Sequence, residues 1–161
     1  MRILGIDPGL RICGYACIDA GLDGENLIEA GTLQTDEKQP IEVRLKRIAD
    51  DIEELLQKFG PDTVTVEELY SHYAHPKTAI LMGHARGVIL QKCAEANIEV
   101  RSFSATRIKK SITGSGSAGK EQIQRSIQAL LNLRQIPEPN DVADAIAVAL
   151  CCANTKKYAQ C

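Results

Sequence analysis

Four acids stand where carboxylates can do chemistry. Asp7 ends the apolar run RILGID and precedes Pro8-Gly9. Glu67 ends the β-branched run TVTVE. Asp141 and Asp144 stand three apart at the start of the Ala-rich stretch DVADAIAVALCCAN, a spacing that puts both on one helix face. Carboxylates gathered out of water repel one another unless a cation joins them. Hard oxygen donors select Mg²⁺ or Mn²⁺. Four of them can hold two such ions roughly 4 Å apart, the arrangement for in-line cleavage of a phosphodiester: one ion activates water and the other stabilises the leaving 3′ oxygen.

Each acid also has a plainer reading. Aspartate before Pro-Gly is a common turn residue. Glu67 is followed by Glu68, and adjacent strand residues face opposite ways, so only one of them can enter a site. Asp141 can simply favour a helix start. Asp144 is the odd one, an acid inside an apolar run.

Basic residues gather elsewhere. Residues 101–125 carry Arg101, Arg107, Lys109, Lys110, Lys120 and Arg125 against a single acid, Glu121. The same segment holds TGSGSAGK, a Gly/Ser turn before a predicted helix, where backbone amides and Lys120 can meet a phosphate. It is not a P-loop, because Glu121 stands where that motif needs Ser or Thr. An ordinary solvated helix–loop–helix is the alternative. Two of the four tyrosines, Tyr70 and Tyr73, follow Glu67, placed either to stack on unpaired bases or to anchor the loop. His72 and His75 lie there too, but no further His or Cys completes a zinc set.

These groups need elements to carry them. RILGID (2–7), ICGYACID (12–19) and NLIEAGTLQ (26–34) read as three strands in a meander. In the next stretch Ile41, Leu45, Ile48, Ile52, Leu55 and Phe59 recur at steps of four and three, a helix with one apolar stripe, ended by Gly60-Pro61. TVTVEE (63–68) reads as a buried strand. Residues 77–96 read as a helix holding Gly83 and Gly87, and two glycines one turn apart imply close approach of another backbone. IEVRSF is a fifth strand. Ser104, Ser117 and Asn140 are the expected caps of three further helices. Strands first and then alternating with helices predict an α/β fold, a five-stranded mixed sheet.

The whole is bounded by composition. With 161 residues, 44% apolar and 25% charged, the chain reads as one domain over residues 1–155, with a short tail at 156–161 expected to fray. Net charge is −2, which argues against nucleic-acid binding over the entire surface but not on a local face. No apolar run reaches the roughly 18 residues of a membrane span. No signal peptide is legible, and six scattered cysteines fit a reducing cytoplasm.

In their order, GIDPGLRICGY, VEELY, LMGHARGV, IKKSITGSGSAGK and DVADAIAVAL span nearly the whole chain, and together they resemble the RuvC family of Holliday-junction resolvases. The resemblance implies an RNase H-like fold with helices on both sheet faces. It implies a homodimer that nicks two opposed strands of a four-way DNA junction with Mg²⁺, leaving 5′-phosphate and 3′-hydroxyl ends, and that works with the RuvA–RuvB branch-migration complex. By motif, Asp7, Glu67, Asp141 and Asp144 match the catalytic and metal-binding acids. Lys120 matches a basic residue near the scissile phosphate and Lys109 another on the DNA face, where Arg107 is also expected. Tyr70 stands where relatives usually carry phenylalanine, at the unpaired crossover. Gly83 and Gly87 fall on the dimer-forming helix. The loop after Glu67 departs from the pattern: it carries His75-Pro76, lacks an expected asparagine and is about one residue longer. A non-catalytic junction-binding module, another RNase H-like nuclease and a phosphate-binding ATPase-like domain are the alternatives.

Overall fold

The computed structural model describes residues 1–69 and 76–159. The expectations placed on Tyr70, His72, Tyr73, His75 and Cys161 lie outside the described residues.

Strands β1 (Arg2–Asp7), β2 (Ile12–Gly21) and β3 (Gly24–Gln34) form the antiparallel meander. After helix α1 (Ile41–Phe59), β4 (Thr63–Glu67) pairs parallel with β1. Helix α2 (Pro76–Glu95) leads to β5 (Glu99–Phe103), parallel with β4. The sheet is therefore mixed, in the order β3-β2-β1-β4-β5, with β1 at its centre. Helices α3 (Ala105–Thr113), α4 (Lys120–Leu130) and α5 (Asn140–Ala159) complete the chain. The predicted five strands and helices on both faces are all present.

Alternation along β1 divides the core. Leu4 and Ile6 face α1 and α2 with Cys13, Cys17, Val64 and Val66. Ile3 faces the other way, with Ala16, Ile18, Phe103 and the buried run of α5. On that second face, α5 lies against β1 and β2 at backbone distance. A Cβ on Gly5 would overlap the Ala145 carbonyl and sit 2.8 Å from the Ala149 Cβ. One on Gly14 would overlap the Asp141 carbonyl. A strand interior that spends glycine gives up packing area and gains close approach.

Several local expectations need correction. Ile41 is 37% exposed, so the α1 stripe begins only at the half-buried Leu45. Ser104 does cap α3, accepting from the Arg107 amide, but Ser117 does not cap α4. Helix α4 starts at Lys120 behind Gly119, and the Ser117 hydroxyl pairs with that of Ser115 at 3.1 Å. Asn140 is the first helical residue of α5, not its cap. Its Oδ1 accepts from Gln124 at 3.2 Å, while the Val142 amide donates to the Pro139 carbonyl. Helix α5 extends to Ala159. Asn154 holds it to α3 through the Ser111 hydroxyl, and Thr155 donates back to the Cys151 carbonyl. Within the chain, no described residue brings a backbone to Gly83 or Gly87. Only the Leu69 side chain comes near Gly83, at 3.9 Å.

Candidate active site

Asp7 and Glu67 end two neighbouring parallel strands on the same side of the sheet. Val64 and Val66 point to the α1–α2 face, so Thr63, Thr65 and Glu67 point to the α5 face, as Ile3, Gly5 and Asp7 do. The N-terminal turn of α5 arrives above them with Asp141 and Asp144. All four acids are half-buried. Glu68 is exposed, its amide bonded to the Phe103 carbonyl, so Glu67 is the member of the pair that turns into the site. A cleft of about 280 Å³ opens here between Asp7, Pro8, Glu67 and Leu69 on one side and Ala79 and Met82 of α2 on the other. A second cleft, of about 350 Å³, runs from Asp141 past Gly9–Ile12 to Thr78, and Met82 borders both.

The acids feel one another. Burial pushes the Asp7 carboxyl up to about 7, helped by Asp144, Glu67 and Asp141, while Lys120 opposes the shift. Glu67 is raised by burial and by Asp144, against Lys109. Asp144 is raised chiefly by burial, with Lys120 and Lys109 opposing and Asp141 reinforcing. The structure thus brings together Asp7, Glu67, Asp141, Asp144, Lys109 and Lys120. Arg107 stands apart on α3, its guanidinium 5.0 Å from the centre of the Phe103 ring, in a cleft of about 360 Å³ beside Lys110, Asn154 and Thr155.

The donor set of such a cluster suits a divalent cation. Four carboxylates against two lysines leave negative charge in excess, every donor is an oxygen, and burial with the neighbouring acids holds the Asp7 carboxyl up at about 7. Among the described residues, no three acid, His or Cys side chains stand together as a ready-made metal cage.

A model of the family described as "Crossover junction endodeoxyribonuclease RuvC" matches residues 3–152. The chain belongs to the RuvC family. The RuvC of Rhodopirellula baltica is 46% identical over 149 residues, 92% of this chain and 84% of that one. The RuvC of Alkaliphilus oremlandii is 40% identical over 99% of this chain and 97% of its own. Thermus thermophilus RuvC, solved in complex with Holliday junction substrate, superposes with a TM-score of 0.92 at 29% identity, covering 99% of this chain and 96% of that one. The expected RNase H-like fold and the expected class of enzyme, a crossover junction endodeoxyribonuclease of the RuvC family, are both borne out.

Reading the sequence alone misses two residues at this site. Gly14 is the register partner of Asp7 and lies directly under Asp141; a glycine inside the strand ICGYAC is the signal for it. Arg86, in LMGHARGV, reaches the carbonyl of Glu67, and nothing in its local sequence marks that.

Proposed function

We propose that this chain resolves four-way DNA junctions as a homodimer, making paired nicks in two opposed strands and leaving 5′-phosphate and 3′-hydroxyl ends. Residues 1–155 serve as one nuclease domain, in the cytoplasm, alongside the RuvA–RuvB branch-migration complex. The observation that carries the reading is the coupling of four carboxylates around Asp7 in a chain of the RuvC family.

Asp7, Glu67, Asp141 and Asp144 would hold Mg²⁺, or Mn²⁺ in its place, four carboxylates supplying enough charge and donors for two ions. When bound, such ions supply Lewis-acid chemistry, lowering the pKa of water and stabilising the leaving oxygen. The remaining work falls to the protein. Lys120 begins α4 beside Asp7 and Asp144, where its ammonium neutralises charge on the scissile phosphate and orients it. Lys109 plays the same part on the Glu67 side. Arg107 and Lys110, away from the acids, hold the phosphate backbone of a flanking arm. Tyr70, three positions after Glu67 in the sequence, is proposed to act at the crossover.

The test is a synthetic four-way junction with Mg²⁺. The parent chain cuts two opposed strands, and linear duplex of the same sequence stays intact. Asp7→Asn binds the junction as the parent does but cuts it about 10³-fold more slowly, equivalent to roughly 4 kcal/mol of barrier. A parent that binds without cutting would make the chain a junction-binding module instead, and equal cutting of linear duplex would remove the junction selectivity.

A further inference from the structure

The geometry points to Arg86 as a positioning residue for Glu67, an inference that rests on the proposed role of the four acids. Arg86 belongs to α2, on the sheet face opposite to α5. Its Nε donates to the Glu67 carbonyl at 3.3 Å, and its Nη2 donates to the Ser102 hydroxyl of β5 at 2.7 Å. One guanidinium therefore ties the ends of two parallel strands to one helix.

The tie falls where the sheet stops supporting the site. The register between β1 and β4 ends at the Ile6–Val66 pair, one residue short of Glu67. On the β5 side the chain is still held, because the Glu68 amide bonds to the Phe103 carbonyl. Arg86 supplies a donor to the carbonyl at the end of β4. Fixing that peptide plane fixes the backbone torsion of Glu67 and so the direction of its Cα–Cβ bond. The carboxylate then enters the cluster against the repulsion of Asp144, which would otherwise turn it towards solvent. A planar fork with separated donors makes both bonds at once; a lysine ammonium at the same place has one point of charge to share between them.

The prediction concerns cation affinity ahead of junction binding, because Arg86 does not line the cleft and its bond to the basic segment goes to the Ser102 hydroxyl, not to one of the basic side chains. Groups that orient metal ligands from behind typically change metal affinity by about 10–100-fold when removed. A clamp acting through the backbone belongs at the low end, so about tenfold weaker Mn²⁺ binding is expected for Arg86→Met, measured by titration calorimetry on the full chain. Arg86→Lys recovers part of the loss, and junction affinity measured without divalent metal changes less than about twofold. Asp7→Asn is titrated in parallel. Loss of Mn²⁺ binding in Asp7→Asn with unchanged binding in Arg86→Met overturns the role of Arg86 alone. Unchanged Mn²⁺ binding in both variants overturns the reading of the acids beneath it. Should Arg86→Met not fold, Ser102→Ala, which frees one arm of the clamp, decides the matter: a several-fold loss of Mn²⁺ affinity supports the role, and parental affinity overturns it.

Discussion

Burial and three neighbouring carboxylates hold the Asp7 carboxyl at about 7 in the metal-free chain, whereas an unfolded aspartate titrates near 3.9. Between those values the folded state binds the extra proton, so stability falls as pH rises from about 4 to about 7. Glu67 and Asp144 are raised in the same direction and add to the slope. Thermal scans without divalent metal should therefore show a lower Tm at pH 8 than at pH 5. Asp7→Asn should flatten the fall and leave the variant more stable than the parent at pH 8 by several degrees, each kcal/mol being worth about 2–4 °C in a chain of this size. Adding Mg²⁺ should raise the parent's Tm at pH 8 and have little effect at pH 5, where Asp7 keeps its proton. A parent Tm that rises from pH 5 to pH 8 without metal would remove this account of Asp7.

Helix α5 brings two acids to the site, and how closely it sits is decided by the strands beneath it. Gly14→Ala places a methyl group against the Asp141 carbonyl, and overpacking of this kind costs about 1–3 kcal/mol. The expected result is a modest loss of Tm together with a loss of cleavage of about tenfold or more, since Asp141 must lift away from Asp7; this link between displacement and rate follows the sensitivity of catalysis to misplacement of about 1 Å. Gly21→Ala, at the open end of β2 with no described atom within 4 Å, should leave both unchanged. The acid pairing on α5 was legible from the i, i+3 spacing of Asp141 and Asp144, because helix periodicity is local. What α5 rests on was not. A glycine inside a strand signals close approach, but what approaches Gly14 and Gly5 is known only with the partner helix in view. Ser117 and Asn140 failed as caps for a related reason: each hydroxyl or amide found a nearer partner, Ser115 and Gln124 respectively, and cap propensity does not register such competition. Arg86 looks like any polar residue of a helix, and its target is a carbonyl 19 positions away.

In the proposed homodimer, α2 is the helix that meets the second copy. Ile80 is 61% exposed there, and among the described residues Gly87 has open space where a Cβ would go. A side chain at Gly87 should therefore cost the single chain nothing and even gain helix propensity, about 1 kcal/mol. In the proposed dimer the same side chain has no room. Gly87→Glu should give a folded monomer by light scattering at micromolar concentration, with paired nicking lost, while the parent scatters as a dimer. A dimeric Gly87→Glu would move the interface elsewhere. The count of strands and the two-faced arrangement of helices were readable from alternation and from the change of period. The five segments that carry the family resemblance were readable as well. Which glycine meets a neighbour inside the chain and which is left open to a second copy is a property of the assembled surface alone.

The late arrival of α5 has a consequence for synthesis. Its two acids follow the other two by more than seventy positions, and the same helix fills most of one face of the core. A ribosome that stops before residue 140 releases a chain that already carries the basic segment but has an uncovered sheet and half of the proposed metal site. Such a fragment leaves a hydrophobic face open to water, and with two of the four proposed ligands absent it is expected not to cut DNA. Cutting becomes possible only when the last helix has closed the fold.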